Sequence, residues 1–140
     1  MRVFFDSSAF AKRYIREEHT DTVLEWCDRA REIALSGIAL AEIVAAFCRL
    51  LREGKITAHQ YARLKTALFY DAADISLCDL TPEVLHYSIL RLEACPLRGM
   101  DAIHIGSAQV WKPDVFVSAD RRQSAAAEGA GLQVVALVSA

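Results

Sequence analysis

Five short apolar runs, separated by longer segments of helical character, restrict this chain more than any other feature. The runs are Arg2–Phe5, Ile33–Ser36, Ile75–Leu80, Val115–Ser118 and Gln133–Leu137. Each is too short for a helix and reads as a buried strand. Between them the predicted helices span Ala9–Glu17, Thr20–Arg31, Ile38–Glu53, Thr57 to about Ala72, Pro82 to about Cys95, Met100–Val110 and Arg121–Glu128. The helix ends carry fitting residues. Ser7 or Ser8 can cap the first helix, and Thr57 with Gln60 forms a capping-box pattern. Pro82 fits a first turn, Gly54 and Gly129 stop their helices, and Pro113 blocks extension. Strands alternating with helices in this way imply a three-layer α/β/α, doubly wound, mostly parallel sheet of about five strands.

Composition narrows the class further. A chain of 140 residues corresponds to one domain, expected here over residues 1–140. With 54% apolar and 24% charged residues it is not a disordered polymer. The longest stretch lacking Asp, Glu, Lys and Arg runs from Gly129 to Ala140, shorter than the roughly 18 apolar residues a membrane span needs. Asp6 falls too early for a secretory signal. Cys27, Cys48, Cys78 and Cys95 are scattered and form no CxxC pair. They are expected to be reduced thiols of a cytoplasmic protein, without zinc. The net charge of −2 supplies no general basic field, so any nucleic-acid partner must be met by local patches.

Parallel topology gives the acidic residues a meaning. Ligands of such sheets bind beyond the carboxyl ends of the strands. Asp6 follows the first strand, and Asp120 lies two residues beyond Val115–Ser118. Glu42 is in the early turns of the helix after the second strand, and Asp101 begins the helix before Val115. All four are expected on one rim. Singly, Asp6 can start a turn, and Asp101 and Asp120 can cap helices. Glu42 resists such a reading. It is the one charged residue in GIALAEIVAAFC, and no basic residue lies three or four positions away. Converging carboxylates repel: two unit charges about 4 Å apart cost on the order of 4 kcal/mol at an effective dielectric near 20. An all-oxygen set is relieved by a hard cation, Mg²⁺ or Mn²⁺. Basic residues flank these acids, namely Lys12, Arg13 and Arg16, then Arg98, then Arg121 and Arg122. Metal-holding carboxylates rimmed by cations suit a phosphodiester.

The stretches FFDSSAFAKRY, ALAEIVAAF, RGMDAIHIGSA and FVSADRRQSAAAEGAGLQVV resemble, in order, the sequence blocks of PIN-domain proteins, with the nearest likeness to VapC-type toxins of toxin–antitoxin pairs. The resemblance covers nearly the whole chain. It implies a Mg²⁺-dependent endoribonuclease, with Mn²⁺ as a possible substitute, acting in the cytoplasm. Its metal ligands and catalytic acids would be Asp6, Glu42, Asp101 and Asp120. Products would carry 5′-phosphate and 3′-hydroxyl ends. The implied partners are RNA, a cognate antitoxin and a second copy of the chain, with no membrane. The helical pair around Gly54 resembles the family's dimerising element. Some members carry a further acid where this chain has Ser118, which leaves the occupancy of a second metal open.

Supporting roles are less determined by sequence. Ser7 and Ser118 are candidate hydrogen-bond donors to Asp6 and Asp120, with capping and turn formation as the alternative. Arg98 and Arg121 are candidate substrate contacts. His104, one turn after Asp101, has two readings, a residue that orients a ligand or substrate and a partly buried structural histidine, of which the second is the expectation. His19, His59 and His86 receive no role. Phe69, Tyr70 and Trp111 are expected in the core or at an interface. Two other functions compete. One is a non-catalytic RNA- or protein-binding module of the same fold. The other is a haloacid-dehalogenase-like phosphatase with Asp6 as nucleophile, which would need a second Asp where Ser8 stands.

Overall fold

In a computed structural model, which describes residues 1–138, the alternating runs form a five-stranded sheet. The strands are β1 (Arg2–Phe5), β2 (Glu32–Ser36), β3 (Ser76–Cys78), β4 (Val115–Ser118) and β5 (Val134–Ala136), in the order β3-β2-β1-β4-β5. Every pairing is parallel. Val3 lies opposite Ile33 and Val115, and Phe4 opposite Ala34 and Phe116. The helices are α1 (Ser7–Phe10), α2 (Thr20–Arg29), α3 (Ala39–Arg52), α4 (Ala58–Ala72), α5 (Pro82–Ala94), α6 (Gly99–Trp111) and α7 (Arg121–Gly129). The fold is the doubly wound α/β sandwich expected from the sequence.

Two cores follow from the two-residue period of the strands. Val3, Phe5, Leu35, Val115 and Val117 point to one face, where they meet Phe10, Val23, Ile43, Phe47 and Leu68 of helices α1–α4. Phe4, Ala34 and Phe116 point to the other, against Ile105, Ala108, Ala126 and Ala127 of α6 and α7. The central strands are buried on both faces, which is why they read as unbroken apolar runs. Phe4 and Phe116 stack across the β1–β4 pair with centroids 5.6 Å apart.

The chain builds outward from β1 in one direction and then in the other. β2 and β3 are added on one side, and after α5 and α6 the chain returns to pair β4 with β1 on the other. β1 and β4 therefore flank the point where strand order reverses, the usual place for a ligand crevice.

The start of the chain departs from the predicted helix over Ala9–Glu17. Helix α1 begins at Ser7, and Asp6 itself is the cap, accepting from the Ala9 amide, so neither Ser7 nor Ser8 caps it. After α1 a 3₁₀ turn over Ala11–Arg13 ends the helical run. Lys12 Nζ bonds both Glu17 Oε1 (3.0 Å) and the Glu18 carbonyl (2.9 Å), folding this segment into a turn. The capping box of Thr57 and Gln60 is formed, and Pro82 occupies the first turn of α5. Trp111 packs against the second core and carries the Arg2 guanidinium 3.9 Å from its ring centre. The four cysteines are half-buried free thiols. Among the described residues no helix is long and apolar enough to cross a membrane.

Helices α5 and α6 approach closely at Gly106. A Cβ there would lie 2.3 Å from Ser88 Oγ, 2.7 Å from the Val84 carbonyl oxygen and 2.9 Å from the Ser88 amide nitrogen. Two of those atoms are backbone and cannot rotate away. Gly106→Ala should therefore destabilise the protein by about 1–3 kcal/mol, the usual range for overpacking. Ser88→Ala in the same chain should restore only part of it, as read by the urea midpoint. An unchanged midpoint for Gly106→Ala alone would show that the helices separate without cost.

Candidate metal centre

Asp6 continues the line of β1, and its amide donates to the Val117 carbonyl (3.1 Å), extending the ladder with β4. Its carboxylate has no exposed surface. Oδ1 accepts from the Ala9 amide (2.9 Å) and from Ser8 Oγ (2.7 Å), and Oδ2 accepts from Ser118 Oγ. Ser8 Oγ also accepts from the Ala119 amide (3.1 Å), and Ser118 Oγ from the Asp120 amide (3.0 Å). The ends of β1 and β4 are thus stitched together through one buried carboxylate and two hydroxyls. Asp120 caps α7, its Oδ1 accepting from the Gln123 amide (2.8 Å). Gln123 Nε2 in turn donates to the Asp101 carbonyl (2.8 Å), tying α7 to α6.

A second network spans the other side of the rim. Glu42, in the first turn of α3, accepts at Oε1 from Ser7 Oγ (2.5 Å). His104 Nε2 lies 2.5 Å from the same oxygen and 2.9 Å from Ser7 Oγ. His104 is only 2% exposed, on the helix that also carries Asp101 one turn earlier. Residues three apart share a helix face, so α6 brings both to the rim.

The carboxylates are tuned differently. Burial pushes Asp6 above the usual carboxylate range, against the pull of His104 and its three hydrogen bonds. Burial also raises Asp101, and the negative charges of Asp120 and Glu42 raise it further, partly offset by His104 and a bond from the Arg98 backbone. Burial would raise Glu42 as well, but the hydrogen bonds from His104 and Ser7 and the charge of His104 outweigh it, so Glu42 lies below its ordinary value.

The donor set is oxygen throughout, and Asp101 feels the negative charges of two neighbours, only partly offset by His104. Those are the conditions a hard divalent cation relieves. Asp6, Glu42, Asp101 and Asp120 fit such an ion chemically, although no group of three acidic, His or Cys side chains among the described residues is drawn together closely enough to enclose one directly. Asp101 and Asp120 line a cleft of about 730 Å³ with Arg98, Arg121 and Arg122. Glu42 and Ser7 line a second cleft of about 340 Å³ with Lys12 and Arg49.

The structure gathers the predicted residues in two linked groups, Asp6–Ser118–Asp120 and Ser7–Glu42, with Asp101 electrostatically coupled to Asp120 and Glu42. Ser7 and Ser118 have different carboxylate partners from those expected: Ser7 serves Glu42, and Ser8 and Ser118 serve Asp6. Ser8 joins the site without a sequence signal, and His104, expected to be structural, bonds Glu42 at the rim. The available signal for His104 was its position, three residues after Asp101 in the apolar helix DAIHIGSA.

Comparison with known proteins agrees with this architecture. The family model for the PIN domain matches residues 3–129. No curated protein matches the sequence. The fold is similar to that of FitAcB from Neisseria gonorrhoeae, with a TM-score of 0.70 at 15% identity, covering 94% of this chain and 95% of that one. It is also similar to a toxin–antitoxin complex from Klebsiella pneumoniae, with a TM-score of 0.67 at 18% identity and 95% coverage of both chains. VapC20 of Mycobacterium tuberculosis, described as a toxin cleaving the sarcin–ricin loop, gives a TM-score of 0.65 at 16% identity, over 89% of this chain and 94% of that one.

The opposite shifts of Asp101 and Glu42 give a signed expectation for stability. A carboxyl raised in the fold opposes folding above its folded pKa, and that cost fades as pH falls through it. A lowered carboxyl stabilises above its unfolded pKa, and the gain is lost as pH falls through the folded value. In EDTA at neutral pH, Asp101→Asn should melt above the wild type and Glu42→Gln below it, by a few degrees at most at this half-exposed rim. Both differences should shrink as the pH is lowered through the carboxylate range. Thermal melts across that range decide the matter, and an Asp101→Asn protein melting below the wild type at neutral pH contradicts the assignment.

Proposed function

The chain belongs to the PIN-domain family, and from that premise we propose that it is a Mg²⁺-dependent endoribonuclease, the toxin of a toxin–antitoxin pair. The observation that carries this reading is that Asp101 feels the charges of Asp120 and Glu42, while Asp6 is tied to the Asp120 segment through Ser118, beside a cleft lined by Asp101, Asp120, Arg98, Arg121 and Arg122. In this reading the four carboxylates hold the ion, and Mn²⁺ can replace Mg²⁺. The chemistry such an ion supplies is activation of water and neutralisation of phosphodiester charge. The protein's own contribution is placement. Ser8, Ser118 and the Ala9 amide fix Asp6. The capped α7 fixes Asp120, and the Gln123 bond keeps it in register with α6 and Asp101. Arg98 and Arg122 offer guanidinium groups to the phosphates of a strand lying in the larger cleft.

The partners follow from surface shape. Leu85, Ile89 and Leu92 recur at helical spacing along α5 and are exposed, together with Leu77 and Leu80. An exposed apolar stripe can be covered by the same stripe of a second copy across a twofold axis, and we assign it to a homodimer. The hairpin around Gly54, which the resemblance implies as a dimerising element, forms one wall of an apolar groove of about 400 Å³ between Ile15, Leu50, Ile56 and Leu64. Arg16 and Arg63 border that groove, which fits an amphipathic antitoxin segment bearing acidic residues. A single domain over residues 1–140 and a cytoplasmic setting belong to the same proposal.

One observation favours the non-catalytic alternative: Asp6 is wholly buried with both oxygens already bonded. The same burial counts against Asp6 as a phosphatase nucleophile. RNA incubated with the protein in Mg²⁺ should be cut to leave 5′-phosphate ends. Asp101→Ala and Glu42→Ala should reduce cutting to the level seen in EDTA while circular dichroism stays native. Cutting that survives EDTA, or a folded Asp101→Ala protein with wild-type activity, overturns the nuclease reading. RNA binding without cutting selects the non-catalytic module.

A further inference from the structure

We propose that His104 is a positioning residue for Glu42, presenting that carboxylate to the metal through a bond from its Nε2. The inference rests on the reading of Glu42 as a metal ligand. Nε2 lies 2.5 Å from Glu42 Oε1 and 2.9 Å from Ser7 Oγ. A carboxylate oxygen can only accept, so this contact requires the imidazole proton to be on Nε2. Ser7 Oγ donates to the same oxygen. Both donors converge on Oε1 and neither takes up Oε2, which stays available to an ion. Glu42 is a flexible side chain in the first turn of α3, with its side chain 31% exposed. Among the described residues no other hydrogen bond orients its carboxylate.

Burial separates this role from a merely structural one. His104 is 2% exposed, yet its Nδ1 finds no hydrogen-bond partner among the described residues. Buried polar atoms are normally satisfied, and a histidine retained for packing would be expected to use both ring nitrogens. This one directs all of its bonding at the rim. Its helix is pressed onto α5 at Gly106, so the imidazole is carried on a rigid element. The same helix carries Asp101, which fixes Asp101 relative to Glu42.

The geometry assigns the work to one nitrogen, and that can be tested. In His104→Gln the side-chain amide nitrogen can reach about where Nε2 sits, whereas in His104→Asn it falls near Nδ1. His104→Leu removes both. Binding of Mn²⁺ alone, followed by water-proton relaxation, gives a readout that does not depend on activity, and melting in EDTA reports the fold. His104→Leu should weaken Mn²⁺ binding by about 10–100-fold, the usual effect of losing a partner that orients a ligand, with a melting temperature in EDTA no lower than that of Glu42→Gln. His104→Gln should recover most of the affinity, and His104→Asn should not. If Glu42→Gln loses affinity while His104→Leu keeps it, the role of His104 is refuted and the metal reading stands. If the wild type binds no Mn²⁺, or Glu42→Gln binds it normally, the metal reading of Glu42 fails first and the proposal falls with it. Equal rescue by Gln and Asn, or affinity lost only in step with melting temperature, also refutes the assignment.

Discussion

A carboxylate with no exposed surface stands at the carboxyl end of the first strand, and the arrangement of the rim depends on how its burial is offset. Taking an ion of this size out of water costs several kcal/mol even after relaxation. Hydrogen bonds to charged groups return about 1.5–3 kcal/mol each, and Asp6 accepts three of them. The two terms are of similar size, and burial retains the upper hand, as the raised pKa of Asp6 records. The donors come from both sides of the reversal in strand order: Ser8 and Ala9 from the segment after β1, and Ser118 from the end of β4. Solvating this one group therefore fixes the two strand ends against each other. It also sets the start of α1 and, through Ser118, the position of the Asp120 amide.

The remaining acids are placed by helices, and the helices are placed by small residues. Gly106 lets α6 lie against the backbone of α5. Ile105 and Ala108 seat the same helix on Phe4, Ala34 and Phe116. A helix held that tightly can carry Asp101 and His104 to the rim with little freedom. On the opposite face of the sheet, Ala39, Ile43 and Phe47 anchor α3, and Glu42 projects from its first turn. The sheet lies between these two helices, so the distance between Glu42 and Asp101 is set by packing on both of its faces.

Electrostatics then gives two nearby carboxyls different characters. Glu42, with two donors on one oxygen, is held ionised, whereas Asp101 is raised by burial and by its neighbours. The rim thus holds one carboxylate readily ionised and another less so, the second beside the arginines of the larger cleft. The PIN domain frame accounts for where these groups stand. Their hydrogen bonds account for how they differ.

Much of this was legible in the chain. The strand runs Arg2–Phe5 and Val115–Ser118, the capping box at Thr57 and Gln60, and Pro82 in a first turn all match the structure. They could be read because two-residue and helical periods, caps and prolines act over a few residues. The parallel order follows from alternation, and with it the expectation that Asp6, Glu42, Asp101 and Asp120 share one edge. The partners within that edge were not legible. Ser7 and Ser8 are adjacent and chemically alike, yet one serves Glu42, 35 residues away, and the other Asp6. That choice depends on where α1 begins, and α1 begins one residue after β1 because Asp6 caps it. His104 is likewise an ordinary residue of an apolar helix until the first turn of α3 brings Glu42 to it at the rim. Local patterns fix which face and which end a residue occupies. Which atom it bonds depends on side-chain rotamers and helix contacts between segments far apart in sequence, and those exist only once both cores have packed.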